Sequence, residues 1–131
     1  MSVLEMTKEN FESTINDNDI VIVDFWATWC GPCRAFAPVF EKSSTKHADI
    51  AFAKVNTEEQ RELAGSFGIQ AIPTLMVFRD NIMVFNQAGA LPPPAFEKLI
   101  EEVRKLDMDD IRRQIAEADA AQGDGAAETE T

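Results

Sequence analysis

Ile20 to Ala27 reads "IVIVDFWA", an apolar run broken only by Asp24. With no period-two alternation, such a run predicts a strand buried on both faces, hence the centre of a sheet. Ile50 to Val55 ("IAFAKV") predicts a second buried strand. Between them, Cys33 to about Lys46 predicts a helix interrupted at Pro38, because a proline removes an N–H and crowds the preceding turn. Strand, crossover helix and strand make a parallel pair. "NFESTIN" after Thr7 and the stretch Glu58 to Phe67 also read as helical. Thr74 to Phe78, a turn over Arg79 to Asn81, and "IMVFNQ" predict an antiparallel hairpin. In "PPAFEKLIEEVRKL", Phe96, Leu99, Ile100 and Val103 share one stripe of a helix that must cover the sheet. The class is α/β, a mixed sheet with helices on both faces.

Composition bounds this picture. At 131 residues and 45% hydrophobic content the chain suits one domain with a proper core. A net charge of −11 disfavours nucleic acid, whose affinity rests on clustered Lys and Arg. No stretch approaches the roughly 18 apolar residues of a membrane span, and "MSVLEMTKENFEST" lacks the pattern of a signal peptide. A soluble, cytoplasmic monomer is expected. From Asp107 to Thr131 there are eight acids against Arg112 and Arg113, and no aromatic residue. This divides the chain into a core of 1–106 and an acidic extension of 107–131. Within the extension, Met108, Ile111, Ile115 and Ala118 recur at helical spacing after Asp107 as a cap, predicting a short helix over 108–121 and a disordered end. A solvated extension fits the acidity better than a docking helix.

The two cysteines of the chain stand together in "WCGPC", Trp29 to Cys33. A structural staple is a poor account, since closing so short a loop removes only about 2 kcal/mol of chain entropy. Zinc needs four ligands, whereas the chain offers two Cys and one His, His47, whose place at a helix end suits a solvated or capping imidazole. Covalent haem requires His directly after the second cysteine, where Arg34 stands. No bound metal or cofactor is expected. What remains is a dithiol that cycles. Cys30 falls where a buried strand gives way to a helix, so unpaired N–H groups and the positive end of the helix dipole favour its thiolate. It is the expected nucleophile. Cys33, one turn on, is the resolving thiol. Pro32 suits a first helical turn, and Gly31 leaves the approach open to a bulky substrate.

"VDFWATWCGPCRAFAP", followed by "AIPTLMVF" and "QAGA", resembles the thioredoxin family from about Val3 to Leu106. The resemblance implies a strand–helix–strand–helix–strand–helix–strand–strand–helix order around a five-stranded mixed sheet. It implies a general protein-disulfide reductase acting on disulfide-containing client proteins. It further implies recharging by a thioredoxin reductase, with NADPH and FAD involved only through that enzyme. The alternative is a non-catalytic binding or chaperone module of the same fold, with the acidic tail as adaptor.

Asp24, flanked by Ile22, Val23, Phe25 and Trp26, is a buried carboxyl expected to titrate high and to take the proton from Cys33 through a water. Lys54 resembles the lysine that neighbours this aspartate in the family. Ile72-Pro73-Thr74 resembles the family's cis-proline loop facing the disulfide, where the backbone of Ile72 pairs with an extended substrate. Trp29, Ile72, Pro73, Gly89 and Ala90 would form an apolar rim around the sulfur. Asn81 replaces the usual turn glycine, tolerably for a residue that visits the left-handed region. "LPPPAF" replaces the usual polar cap of the last helix with three prolines.

Overall fold

The computed structural model describes the backbone of residues 3–129 and the side chains of residues 3–121. In chain order the elements are β1 (Val3–Glu5), α1 (Phe11–Asp17), β2 (Ile20–Trp26), α2 (Gly31–Lys46), β3 (Ala51–Asn56), α3 (Arg61–Ser66), β4 (Thr74–Arg79), β5 (Ile82–Ala88), α4 (Pro93–Arg104) and α5 (Met108–Thr129). The strands form one sheet in the order β1-β3-β2-β4-β5. β3 runs parallel to β1 and β2, whereas β4 runs antiparallel to β2 and β5 antiparallel to β4. β2 is thus central, as its apolar run predicts.

Alternation along β2 sorts its side chains between two cores. Val21, Val23 and Phe25 pack with Met6, Ile15, Leu63 and Ala64 under α1 and α3. Ile20 and Ile22 pack with Phe36, Phe40, Phe96 and Ile100 under α2 and α4. Asp24 shares the second face, which sets it beneath α2. Phe40 stacks on Phe96 at 5.9 Å between centroids and meets Phe52 edge-on at 5.3 Å. These rings seat both helices on the sheet, each pair contributing about 0.5–1.5 kcal/mol beyond its buried area.

The structure departs from the sequence expectations at several points. α2 starts at Gly31 rather than Cys33 and continues through Pro38 without interruption. The proline forfeits one hydrogen bond, to the Arg34 carbonyl, but it lies on the exposed side of the helix while Phe36 and Phe40 anchor the other side. α3 starts at Arg61 rather than Glu58, because Asn56 Oδ1 accepts the N–H groups of Glu58 (3.0 Å) and Glu59 (3.3 Å) and holds them in a turn. Arg79 belongs to β4, leaving Asp80 (φ 52°) and Asn81 (φ 68°) as a two-residue turn with both residues left-handed, the geometry that matches strand twist. Asn81 therefore fills the usual glycine's place. α4 begins after Pro92 without a side-chain cap, as the three prolines dictate.

His47 is neither solvated nor capping through its ring. Its Nε2 lies 2.8 Å from Glu97 Oε1, and its Nδ1 lies 3.0 Å from Arg104 Nη2. A guanidinium only donates, so Nδ1 accepts and Nε2 carries the proton toward Glu97. Ser43 also donates to Glu97 (2.6 Å), and Arg104 forks onto Asp49 at 2.7 and 2.9 Å. The cluster ties the C-terminal end of α2 to α4.

α5 begins at Met108, and Asp107 Oδ1 accepts the N–H of Asp110 (3.1 Å). Its first turn docks rather than floats: Met108 is buried, and Arg112 bridges Asp109 (2.6 Å) to Asp80 of the hairpin turn (3.1 Å). Arg79 donates to the carbonyls of Val103, Arg104 and Leu106, joining the end of α4 to this docking site. Ile115 is exposed. The expectation of a disordered end falls on residues 122–131, outside those whose side chains are described.

Candidate active site

Cys30 caps α2. Its backbone is extended (φ −86°, ψ 112°), and its sulfur accepts the N–H of Cys33 at 3.2 Å. Pro32 occupies the first turn, where a missing N–H costs nothing. Cys30 and Cys33 are joined as a disulfide with Cα atoms 5.2 Å apart. Both are buried, Cys30 at 4% exposure and Cys33 at 2%, so a partner must fit closely to reach the outer sulfur.

The loop before β4 lies against this disulfide. The Ile72–Pro73 peptide is cis, and the Ile72 carbonyl oxygen lies 3.9 Å from Cys30 Sγ. Gly89, at φ 107° in a region that glycine alone adopts readily, donates its N–H to the Pro73 carbonyl (2.8 Å) and so fixes the β5–α4 loop beside the proline. Ala90 follows, exposed. A Cβ built on Gly31 meets nothing within 4 Å, so the space above it is open to a partner. Trp29 is 65% exposed, a large apolar surface for a side chain beside a reactive group. Its indole N–H donates to Glu58 (3.1 Å), a contact across 29 residues of sequence that no local pattern signals. Between Trp29 and Ile72 lies a groove of about 570 Å³ that also takes in Thr57, Arg61 and Gly65, residues the sequence did not mark.

Beneath the disulfide lies a partly enclosed space with both charged and apolar walls. Asp24 is 4% exposed, and burial pushes its carboxyl up from the ordinary 3.8 to about 7, against the pull of the Lys54 ammonium. Lys54 is the register partner of Asp24 on β3 and is half-buried, with its Nζ 5.3 Å from the centroid of the Trp26 ring. Asp24, Lys54, Trp26 and Cys33 line one cavity of about 90 Å³. Trp26, which sequence reasoning passed over, thus stands at the centre of the cluster.

A dithiol at the tip of a buried strand, held at a helix N-terminus and faced by a cis-proline loop, defines a thiol-disulfide oxidoreductase that works by a reversible disulfide. The family model described as Thioredoxin matches residues 2–116, and the chain belongs to that family. It is 52% identical to the "Putative thioredoxin 2" of Streptomyces coelicolor over 122 residues, covering 93% of this chain and 91% of that protein. It is 40% identical to a thioredoxin of Alicyclobacillus acidocaldarius over 78% of this chain and 98% of that one. Among solved structures, a mutant thioredoxin from Halobacterium salinarum matches with a TM-score of 0.74 at 34% identity, over 80% of this chain and 93% of that chain. The Streptomyces match, at 122 residues, reaches past residue 106 into the acidic extension.

Proposed function

We propose that the protein is a general protein-disulfide reductase, recharged by a thioredoxin reductase that draws on NADPH through its flavin, and working in a reducing compartment, the cytoplasm. The observation that carries this reading is the Cys30 sulfur itself. It accepts a helix N-terminal N–H, a contact that favours thiolate over thiol once the disulfide is reduced, and it lies against the Ile72 carbonyl beside an open groove.

In the mechanism, a client segment lies along the backbone of Ile72 and against Trp29, Gly31, Pro32, Pro73, Gly89 and Ala90. The Cys30 thiolate attacks one client sulfur and the other leaves, giving a mixed disulfide. Cys33 then loses its proton to Asp24 and attacks Cys30, releasing the client as a dithiol. Two electrons pass to the client and the Cys30–Cys33 disulfide remains. Asp24 suits the task because its carboxyl titrates near 7, high enough to accept a thiol proton and low enough to give it up again at neutral pH. Lys54 tempers that shift and steadies the carboxylate once formed. Dithiothreitol-driven insulin reduction, followed as turbidity, tests the reading. Acceleration over dithiothreitol alone that vanishes in Cys30→Ser is expected, and no acceleration would refute it.

A further inference from the structure

We infer that Arg61 sets a preference among clients: in the groove beside Trp29, its guanidinium holds an aspartate or glutamate that stands close to the attacked cysteine. The inference rests on the reading of the site as a protein-disulfide reductase. It adds a specificity-determining residue and the class of segment that residue favours.

The groove extends from Ile72, whose carbonyl oxygen lies 3.9 Å from the Cys30 sulfur, past Trp29 to the start of α3. At about 570 Å³ it falls within the roughly 300–1,000 Å³ of sites that take a drug-sized ligand, so it admits a short stretch of peptide rather than one side chain. Ala64, buried, and Ile69, half-buried, give it apolar walls. Arg61 is the one charged residue among the described residues that line it. Two neighbouring acids are engaged elsewhere: Glu58 accepts from the Trp29 indole, and Glu62 accepts from Lys8.

Arg61 stands apart from the other arginines. Arg34, Arg79, Arg104, Arg112 and Arg113 each spend a terminal nitrogen on a carbonyl or carboxylate within the protein. Arg61 donates through Nε alone, to the Glu58 carbonyl (3.2 Å), and neither of its terminal nitrogens has a partner among the described residues. That bond steadies the side chain and leaves a planar pair of donors, a geometry that fits both oxygens of one carboxylate. Gly65, one helical turn on, lies on the same face of α3. A side chain there would lean back toward Arg61, but glycine has none, and a Cβ built on it meets nothing within 4 Å. The guanidinium is therefore open to a partner. The chain as a whole carries −11, which repels acidic proteins at a distance. The selection is thus for one seated carboxylate and not for acidic clients at large. An exposed ion pair contributes little, whereas a client that covers the groove removes water from this one and strengthens it.

The test uses peptides closed by one disulfide and identical but for a single residue, Glu, Gln or Lys. That residue is set in turn at each position within about four of a cysteine, since an extended chain advances roughly 3.3–3.6 Å per residue. Each peptide is mixed in excess with the reduced protein at about 0.15 M salt, where distant charges are screened. Release of its thiols is followed in a single turnover as its concentration is varied. At one position or more, the Glu peptide should reach half-maximal rate at about a fivefold lower concentration than the Gln peptide, with the same maximal rate, because the contact is made on binding and kept thereafter. Arg61→Gln should abolish this difference, and Arg61→Glu should turn it against the Glu peptide. Gly65→Glu keeps the arginine but sets a carboxylate one turn away to occupy it, so it too should abolish the preference. If the unaltered protein reduces none of the peptides, the reductase reading fails and the inference falls with it. If all three are reduced with no preference for Glu at any position, or if that preference survives any of the three substitutions, the role of Arg61 alone is overturned.

Discussion

Asp24 and Lys54 face each other in register across the parallel β2–β3 ladder, yet the lysine reaches over the Trp26 ring and leaves Asp24 Oδ1 without a partner among the described residues. The carboxyl is therefore governed first by burial and only second by the neighbouring charge. Much of the chain's pH behaviour follows from that ordering.

Because Asp24 titrates near 7 when folded and near 3.8 otherwise, the folded state binds more protons between those values. The contribution of Asp24 to stability is then greatest below about pH 4 and declines as pH rises toward 7. Asp24→Asn should be more stable than the unaltered protein above pH 7, by the order of a few kcal/mol, and the gain should disappear near pH 4. Urea denaturation at pH 4, 6 and 8 reads this directly, and a pH-independent difference would contradict it.

Cys33→Ser leaves the nucleophile and removes the thiol that ends the mixed disulfide. Mixed with an oxidised client, it should accumulate a covalent adduct visible by mass spectrometry and cleaved by dithiothreitol. Cys30→Ser should form essentially none, since Cys33 lies one turn further into α2 and lines the cavity beneath the disulfide.

Trp29 supports no core, being 65% exposed with a single hydrogen bond to Glu58. Trp29→Ala should change unfolding free energy by no more than about 0.5 kcal/mol. It should raise KM for a protein disulfide several-fold and leave the reaction with a small disulfide reagent nearly unchanged, as steady-state kinetics on the two substrates would show.

Burial works to raise the Glu97 carboxyl, but hydrogen bonds from Ser43 and His47 outweigh it and hold the group below its usual range. A group so lowered adds stability above its unfolded pKa and loses it as pH falls. Solvent screens a pair that is a fifth to a third exposed, so Glu97→Gln should cost about 1 kcal/mol at pH 7 and little at pH 3. Thermal melts at the two pH values check the sign.

Truncation after Leu106 removes the buried Met108 and the Arg112–Asp80 bridge. A loss of about 1–2 kcal/mol is expected, chiefly from the methionine. Insulin reduction should persist, because the site lies at the N-terminal end of α2. A large loss of activity would show that the extension takes part in the chemistry.

Much of this is legible in the chain because local signals and tertiary demands agree. The run around Asp24 can only be a central strand, and the same run leaves its carboxyl nowhere to go. The CxxC at the end of that strand carries its own placement, since Cys30 is both the last loop residue and the acceptor for the first turn of α2. The expectations that the structure corrects concern side chains whose partners lie far along the sequence. A helix-end position suggests a solvated or capping ring for His47, whereas Glu97 and Arg104, 50 and 57 residues away, decide its role. Trp26 escapes notice because nothing in a strand pattern reveals an indole nitrogen left without a partner. The start of α3 turns on one side-chain oxygen, Asn56 Oδ1, competing with the helix for two N–H groups.

α2 bears its sulfur at one end and the Ser43–Glu97–His47–Arg104 clamp at the other, with Phe36 and Phe40 seated between. The helix behaves as a fixed handle with a reactive tip. Gaining or losing the bond between the two sulfurs should then be felt at the first turn of the helix and little beyond it.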